Sequence, residues 1–126
     1  MCIKHYNTEA ENIYVFDGFT GASPTSQKKV RFITELAWQS HFVTNMFIRP
    51  EPGQLPQQCD FKPDFTIINA SKVINSKWKE HKLNSEVFIA FNIEKKVAVI
   101  GGSYYGGEMK VILNPFITFS LLLLLL

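Results

Sequence analysis

The side chains that could do chemistry are few and scattered along the chain. Cys2 and Cys59 have no second cysteine two residues away and no histidine at zinc spacing. They read as two free thiols in a reducing compartment, with a single disulfide as the alternative. His5, His41 and His81 share no metal-ligand spacing, and His41 falls in a helical pattern where a structural or surface role suffices. Gly101-Gly102 and Gly106-Gly107 bracket Ser103-Tyr104-Tyr105. Glycine pairs can bring backbone amides close to a phosphate, but the Lys-Ser/Thr ending of a phosphate loop is missing here. Basic residues come in ones and twos, Lys28-Lys29 and Lys95-Lys96 being the densest. No stripe of them could neutralise a run of phosphates, so no nucleic-acid partner is expected.

These residues must be positioned by one small domain. The chain has 126 residues, 46% of them hydrophobic and 19% charged, a globular rather than disordered balance. Eleven Phe, four Tyr and two Trp can fill a modest interior. Asn12 to Asp17 is a short run of β-branched and aromatic residues, predicting a strand closed by Gly18 and by the turn Gly21-Ala22-Ser23-Pro24. Val30 to Thr34 is a second strand. From Glu35 to Phe47 the spacing of Leu36, Ala37, Trp38, Phe42, Val43 and Met46 predicts an amphipathic helix, with Trp38, Phe42 and Met46 as its core stripe. Thr34 is placed to cap it, Glu35 suits its positive end, and Pro50 limits it.

Glu51 to Asp60, with Pro52, Gly53, Pro56 and three glutamines, reads as a surface loop. Phe65 to Asn69 predicts a buried strand and Ser76 to His81 a helical turn. Val87 to Asn92 and Val97 to Ile100 predict a hairpin whose tip is Ile93-Glu94-Lys95-Lys96. Strands with one clear helix among them imply an α/β fold, a mixed sheet with the helix packed on one face. Residues 1–11 form a polar, irregular lead with no signal-peptide pattern, so the cytoplasm is the expected compartment.

Residues 111–126 differ from the rest. They carry no charge, follow no periodicity and end in six leucines, Leu121 to Leu126. A membrane anchor is disfavoured because the segment has sixteen residues, including Asn114 and Pro115, where a span needs about twenty apolar ones. An engineered addition would leave a linker or tag. Sequence read after loss of the coding frame is the third reading.

Several segments, in order, resemble the N-terminal domain of the ATP-using phosphoenolpyruvate carboxykinases. They are Tyr14 to Gly21 (YVFDGFTG), Val30 to Pro50 (VRFITELAWQSHFVTNMFIRP), Phe61 to Asn69 (FKPDFTIIN), Asn84-Ser85-Glu86, and Ile100 to Lys110 (IGGSYYGGEMK). The resemblance covers residues 12–110, which makes that stretch a partial N-terminal domain and 111–126 an apolar tail outside the family pattern. It implies conversion of oxaloacetate and ATP into phosphoenolpyruvate, carbon dioxide and ADP, with Mn2+ and Mg2+, early in gluconeogenesis.

What the resemblance implies for the site is limited. Tyr105 matches the tyrosine whose ring lies beside the substrate, Gly106 and Gly107 match the glycines after it, and Lys110 matches the first of two adjacent lysines. The second lysine, a metal ligand, is replaced by Val111, which has no lone pair. The nucleotide-binding Gly-x-x-Gly-x-Gly-Lys-Thr segment and the later histidine and aspartate of the metal site do not occur in these residues. Nor does the early Arg-Ser-Pro stretch that grips oxaloacetate, and Arg49 belongs to a different motif. The expectation is a carboxykinase fragment inactive as an isolated chain. The alternatives are a weak dicarboxylate-binding module and a tail-anchored membrane protein. The end of the family pattern inside a motif, at Lys110, favours the lost-frame reading of the tail.

Overall fold

A computed structural model of the chain describes residues 11–23, 25–53 and 61–113. Cys2, His5, Cys59, most of the 51–60 loop and residues 114–126 lie outside them. The order of elements is β1 (Tyr14–Thr20), β2 (Lys28–Thr34), α1 (Ala37–Met46), β3 (Phe65–Ala70), β4 (Phe88–Asn92), β5 (Val97–Gly101) and α2 (Gly107–Val111). The strands form one sheet in the order β1-β2-β3-β5-β4. β2, β3 and β5 are parallel, and β1 and β4 run antiparallel at the two edges. The mixed α/β sheet expected from the sequence is the one observed.

Register sorts the sheet's residues onto two faces, because side chains alternate with period two. One row reads Phe16, Phe32, Ile67, Ala98, Phe91 across all five strands. Phe32, Ile67 and Ala98 are fully buried there beneath Val43 of α1, Met109 of α2, and Ile112 and Leu113 after it. Phe32 stacks at 4.6 Å on Phe47, just beyond α1. Each such buried side chain contributes about 1.5–3 kcal/mol, so this face supplies most of the stability. The adjoining row, Val15, Ile33, Ile68, Val99, Ala90, faces the other way. Val73 and Phe88 pack there against Ile33, Ile68 and Val99, which stay only half-buried.

On that second face Arg31 makes two 2.7 Å bonds to the Asp17 carboxylate, directly across the β1–β2 pair. Its guanidinium also lies 5.4 Å from the Phe61 ring centroid. The hydrogen bond to Asp17 raises the Arg31 pKa above its ordinary value. The contribution is therefore complete below that ordinary value and lost only as pH rises through the raised one, outside any working range.

Several expectations need correction. β1 does not stop at Gly18 but continues to Thr20. A Cβ at Gly18 would lie 2.7 Å from the Phe16 ring and 2.9 Å from the Ile48 carbonyl oxygen. That glycine admits the Ile48 strand, which exchanges two backbone bonds with Phe19 at 2.9 and 3.0 Å. Thr34 does not cap α1. It ends β2, while Leu36 is the N-cap without a side-chain bond. Glu35 turns away from the helix and accepts the Lys72 N–H at 3.0 Å, tying the ends of β2 and β3 together.

The core stripe of α1 is also different. Trp38 and Met46 are exposed, Phe42 is half-buried, and Gln39 and Val43 face the sheet. Gln39 is drawn inward because its Nε2 donates to Ser71 Oγ at 2.9 Å, and Ser71 Oγ donates to Asn69 Oδ1 at 3.2 Å. α2 runs across residues 110 and 111, and Ile112 and Leu113 after it are 2% exposed within the core. The β4–β5 hairpin forms as expected, with Lys96 at φ 54° in its tip, and residues 76–82 make successive helical-type turns.

Asp17→Ala should lower stability by about 1–2 kcal/mol, read as a lower urea midpoint at unchanged m-value. Arg31→Lys should cost a similar amount, because an ammonium cannot make both bonds and also cover the Phe61 ring.

Candidate functional site

The residues singled out by the sequence follow the carboxyl end of β5. A Cβ at Gly101 would collide with the Phe88 ring and sit 2.8 Å from the Val73 carbonyl oxygen. Gly102 takes φ 74°, the left-handed region that glycine enters without a steric cost. This pair is there for close packing and a turn, not for a phosphate. The chain then passes through Ser103, which is 6% exposed and whose Oγ accepts the Tyr105 N–H at 3.1 Å. Such a serine-centred turn fixes the loop two residues ahead.

Tyr105 is 70% exposed. Its ring folds over Gly107, where an added Cβ would lie 2.6 Å from Cε1 and Cζ and 2.7 Å from the hydroxyl oxygen. Gly106 is buried beneath α1, where a Cβ would meet Phe42 at 3.1 Å and Trp38 at 3.2 Å. The two glycines therefore have separate tasks: Gly106 seats the loop on α1, and Gly107 leaves room for the tyrosine ring. α2 follows, with Glu108 in its first turn, Lys110 in its last and Met109 fully buried. The signs of both charges suit the helix ends.

Lys110 is exposed and borders a shallow pocket of ≈ 180 Å³ floored by Phe47, Ile48 and Leu113, with Thr20 at its edge. Tyr105, Gly106 and Gly107 do not line that pocket. Tyr105 and Lys110 thus stand on one short segment without converging on one enclosed space. The arrangement offers a phenol that can donate a hydrogen bond and an ammonium that can face an anion. It has no nucleophile held by a base.

Among the described residues the donors do not assemble a metal site. Val111 is 61% exposed and its side chain has no donor atom. Among the described residues no three His, Cys, Asp or Glu side chains converge on a common point. His41 and His81 are exposed, and each shares a 3.1 Å hydrogen bond with a neighbouring asparagine, Asn45 and Asn75.

Sequence reasoning missed three supports of this segment. Ser103 could have been found, since a serine two residues before a loop aromatic suits a side-chain turn. The Trp38–Phe42 seat for Gly106 is hidden in the sequence because helical spacing assigns both rings to the core stripe. The Gln39–Ser71–Asn69 chain left no trace, since a glutamine in a helical pattern normally reads as solvent-facing.

A five-stranded mixed sheet, with helices on one face and a glycine-bracketed tyrosine loop after its last strand, defines an α/β domain. The model of the phosphoenolpyruvate carboxykinase family matches residues 2–122, running past Lys110. The chain belongs to that family. Over 101 residues it is 55% identical to the phosphoenolpyruvate carboxykinase (ATP) of Sulfurimonas denitrificans, covering 80% of this chain and 19% of that protein. The enzymes of the same name from Campylobacter jejuni subsp. jejuni and Campylobacter lari are 58% and 57% identical. Those two alignments each cover 79% of this chain and 18% of the relative. The chain spans about a fifth of the length of the curated relatives it matches.

Gly107→Ala should shift the Tyr105 ring resonances in an NMR spectrum while leaving the amides of β2, β3 and β5 in place. Its cost in stability should stay below about 1 kcal/mol, because the displaced ring is exposed and can turn into solvent.

Proposed function

We propose that this chain is a partial N-terminal domain of an ATP-using phosphoenolpyruvate carboxykinase and that, alone, it does not turn over. In the complete enzyme oxaloacetate loses carbon dioxide, the resulting enolate oxygen takes the γ-phosphoryl group of ATP, and phosphoenolpyruvate and ADP leave. Divalent metal ions, Mn2+ and Mg2+ for this family, neutralise charge in such a transfer. The residues present do not fit that metal site, so no phosphoryl-transfer step is assigned to this chain.

The observation that carries the reading is the composition of the segment around Tyr105. The family's tyrosine, glycines and first lysine are present, and an exposed valine stands where the second lysine belongs. Tyr105 can still donate its hydroxyl to a carboxylate, and Lys110 can supply a nearby positive charge. Weak dicarboxylate recognition is the partial function that this reading retains for the isolated chain. A cytoplasmic location goes with this reading. Among the described residues no helix is long and apolar enough to cross a membrane.

Phosphoenolpyruvate formation from oxaloacetate, ATP and Mn2+ should stay at the uncatalysed background at every chain concentration, and Val111→Lys should not restore it. Turnover proportional to chain concentration and lost in Tyr105→Phe would overturn the proposal of inactivity. Titration with oxaloacetate or phosphoenolpyruvate, followed by NMR, should move the Tyr105 resonances if the dicarboxylate contact persists. A flat titration removes that contact.

A further inference from the structure

The end of the sheet beneath the first turn of α1 is polar, whereas the rest of that face is apolar. Thr34 and Asn69 stand side by side in the β2–β3 register, two residues on from Phe32 and Ile67 and on the same face. Val43 of α1 packs with Phe32 and Ile67, and Gln39, one turn earlier, comes down at the Thr34–Asn69 end. Thr34, Gln39, Asn69 and Ser71 are buried, none more than 2% exposed.

The hydrogen bonds within this group run one way. Gln39 Nε2 donates to Ser71 Oγ at 2.9 Å, and the single hydroxyl hydrogen of Ser71 goes on to Asn69 Oδ1 at 3.2 Å. Two oxygens are left over. Gln39 Oε1 and Thr34 Oγ1 have no hydrogen-bond partner among the described residues. Exchanging the two amide atoms of Gln39 does not mend this, because Ser71 could donate to Oε1 only by withdrawing from Asn69. A buried oxygen in that position bears its full loss of hydration, and native structures almost always meet it with a partner.

The chemistry of the two oxygens says what that partner is. An amide oxygen only accepts, and a hydroxyl accepts or donates, so both are met by a small neutral donor with two hydrogens. The short side chains of Thr34, Asn69 and Ser71, where Phe32 and Ile67 stand two residues earlier, suit a molecule of that size. A metal ion is a poorer occupant, since a hard cation takes about six to eight oxygens. The neighbouring Glu35 carboxylate is already engaged with the Lys72 N–H.

We infer that Thr34 and Gln39 hold one internal water molecule, which donates to Gln39 Oε1, bonds Thr34 Oγ1 and ties the end of β2 to the first turn of α1. The Gln39–Ser71–Asn69 chain ties the same turn to β3. Together the two ties set how deeply α1 sits on the sheet. α1 carries Trp38 and Phe42, on which Gly106 of the tyrosine loop rests.

Magnetic relaxation dispersion of the water oxygen, measured on the full 126-residue chain, tests the inference. It counts long-lived internal waters, and protein hydroxyls do not contribute because their oxygen does not exchange. The unaltered chain should show a dispersion whose amplitude falls by one water in Thr34→Val and by one water in Gln39→Met. Thr34→Ser keeps the hydroxyl and should keep the amplitude. If Gln39→Met fails to fold, because Ser71 loses its donor as well, the two threonine variants decide alone. A chain without any dispersion, or an amplitude unchanged in Thr34→Val, would overturn the inference. So would an equal loss in Thr34→Ser and Thr34→Val, which would make the hydroxyl irrelevant.

Discussion

The parallel alignment of β2, β3 and β5 is the constraint on which everything else in the molecule depends. It puts Phe32, Ile67 and Ala98 in one row beneath α1 and α2, and a slip of one residue would turn all three to the thinly covered face. Parallel strands cannot be joined by a tight turn, so β2 and β3 need a crossover, and α1 supplies it. The same crossover closes the helix-bearing face. The second face receives only Val73 and Phe88 as apolar cover, and its chief polar lock is the Asp17–Arg31 pair. A small domain has about 5–15 kcal/mol of net stability. With one face closed, this chain has little in reserve.

That asymmetry governs how the carboxykinase loop is held. Gly101, Gly102, Ser103 and Gly106 are each accounted for by packing or by a backbone bond to the scaffold, and the scaffold is intact. Tyr105 and Lys110 project from it into solvent. The aligned segment is 19% and 18% of the length of the two relatives that it matches.

A sheet edge or face with little cover leaves backbone donors and apolar side chains to water, a poor substitute for a neighbouring strand or side chain. Ile48 relieves part of the problem at β1.

Much of the fold was legible in the residues themselves. The strands at 65–70 and 97–101, the hairpin with its charged tip, and the helix ending before Pro50 were marked by local chemistry: β-branched runs, Gly and Pro breaks, and helical spacing. The family was legible because five collinear motifs are present in order. Other features were decided only by tertiary structure. Gly18 reads as a stop but serves as the gap that admits Ile48. Gln39 reads as surface but is fully buried against Ser71. Trp38 reads as core but lies half-exposed above Gly106. In each case the residue's role depends on what a distant segment places against it, and residue types and spacing record only the chain's own period. Sequence by itself determined which elements form and which donors exist; the packing of α1 on the sheet decided which of those side chains are buried and which face water.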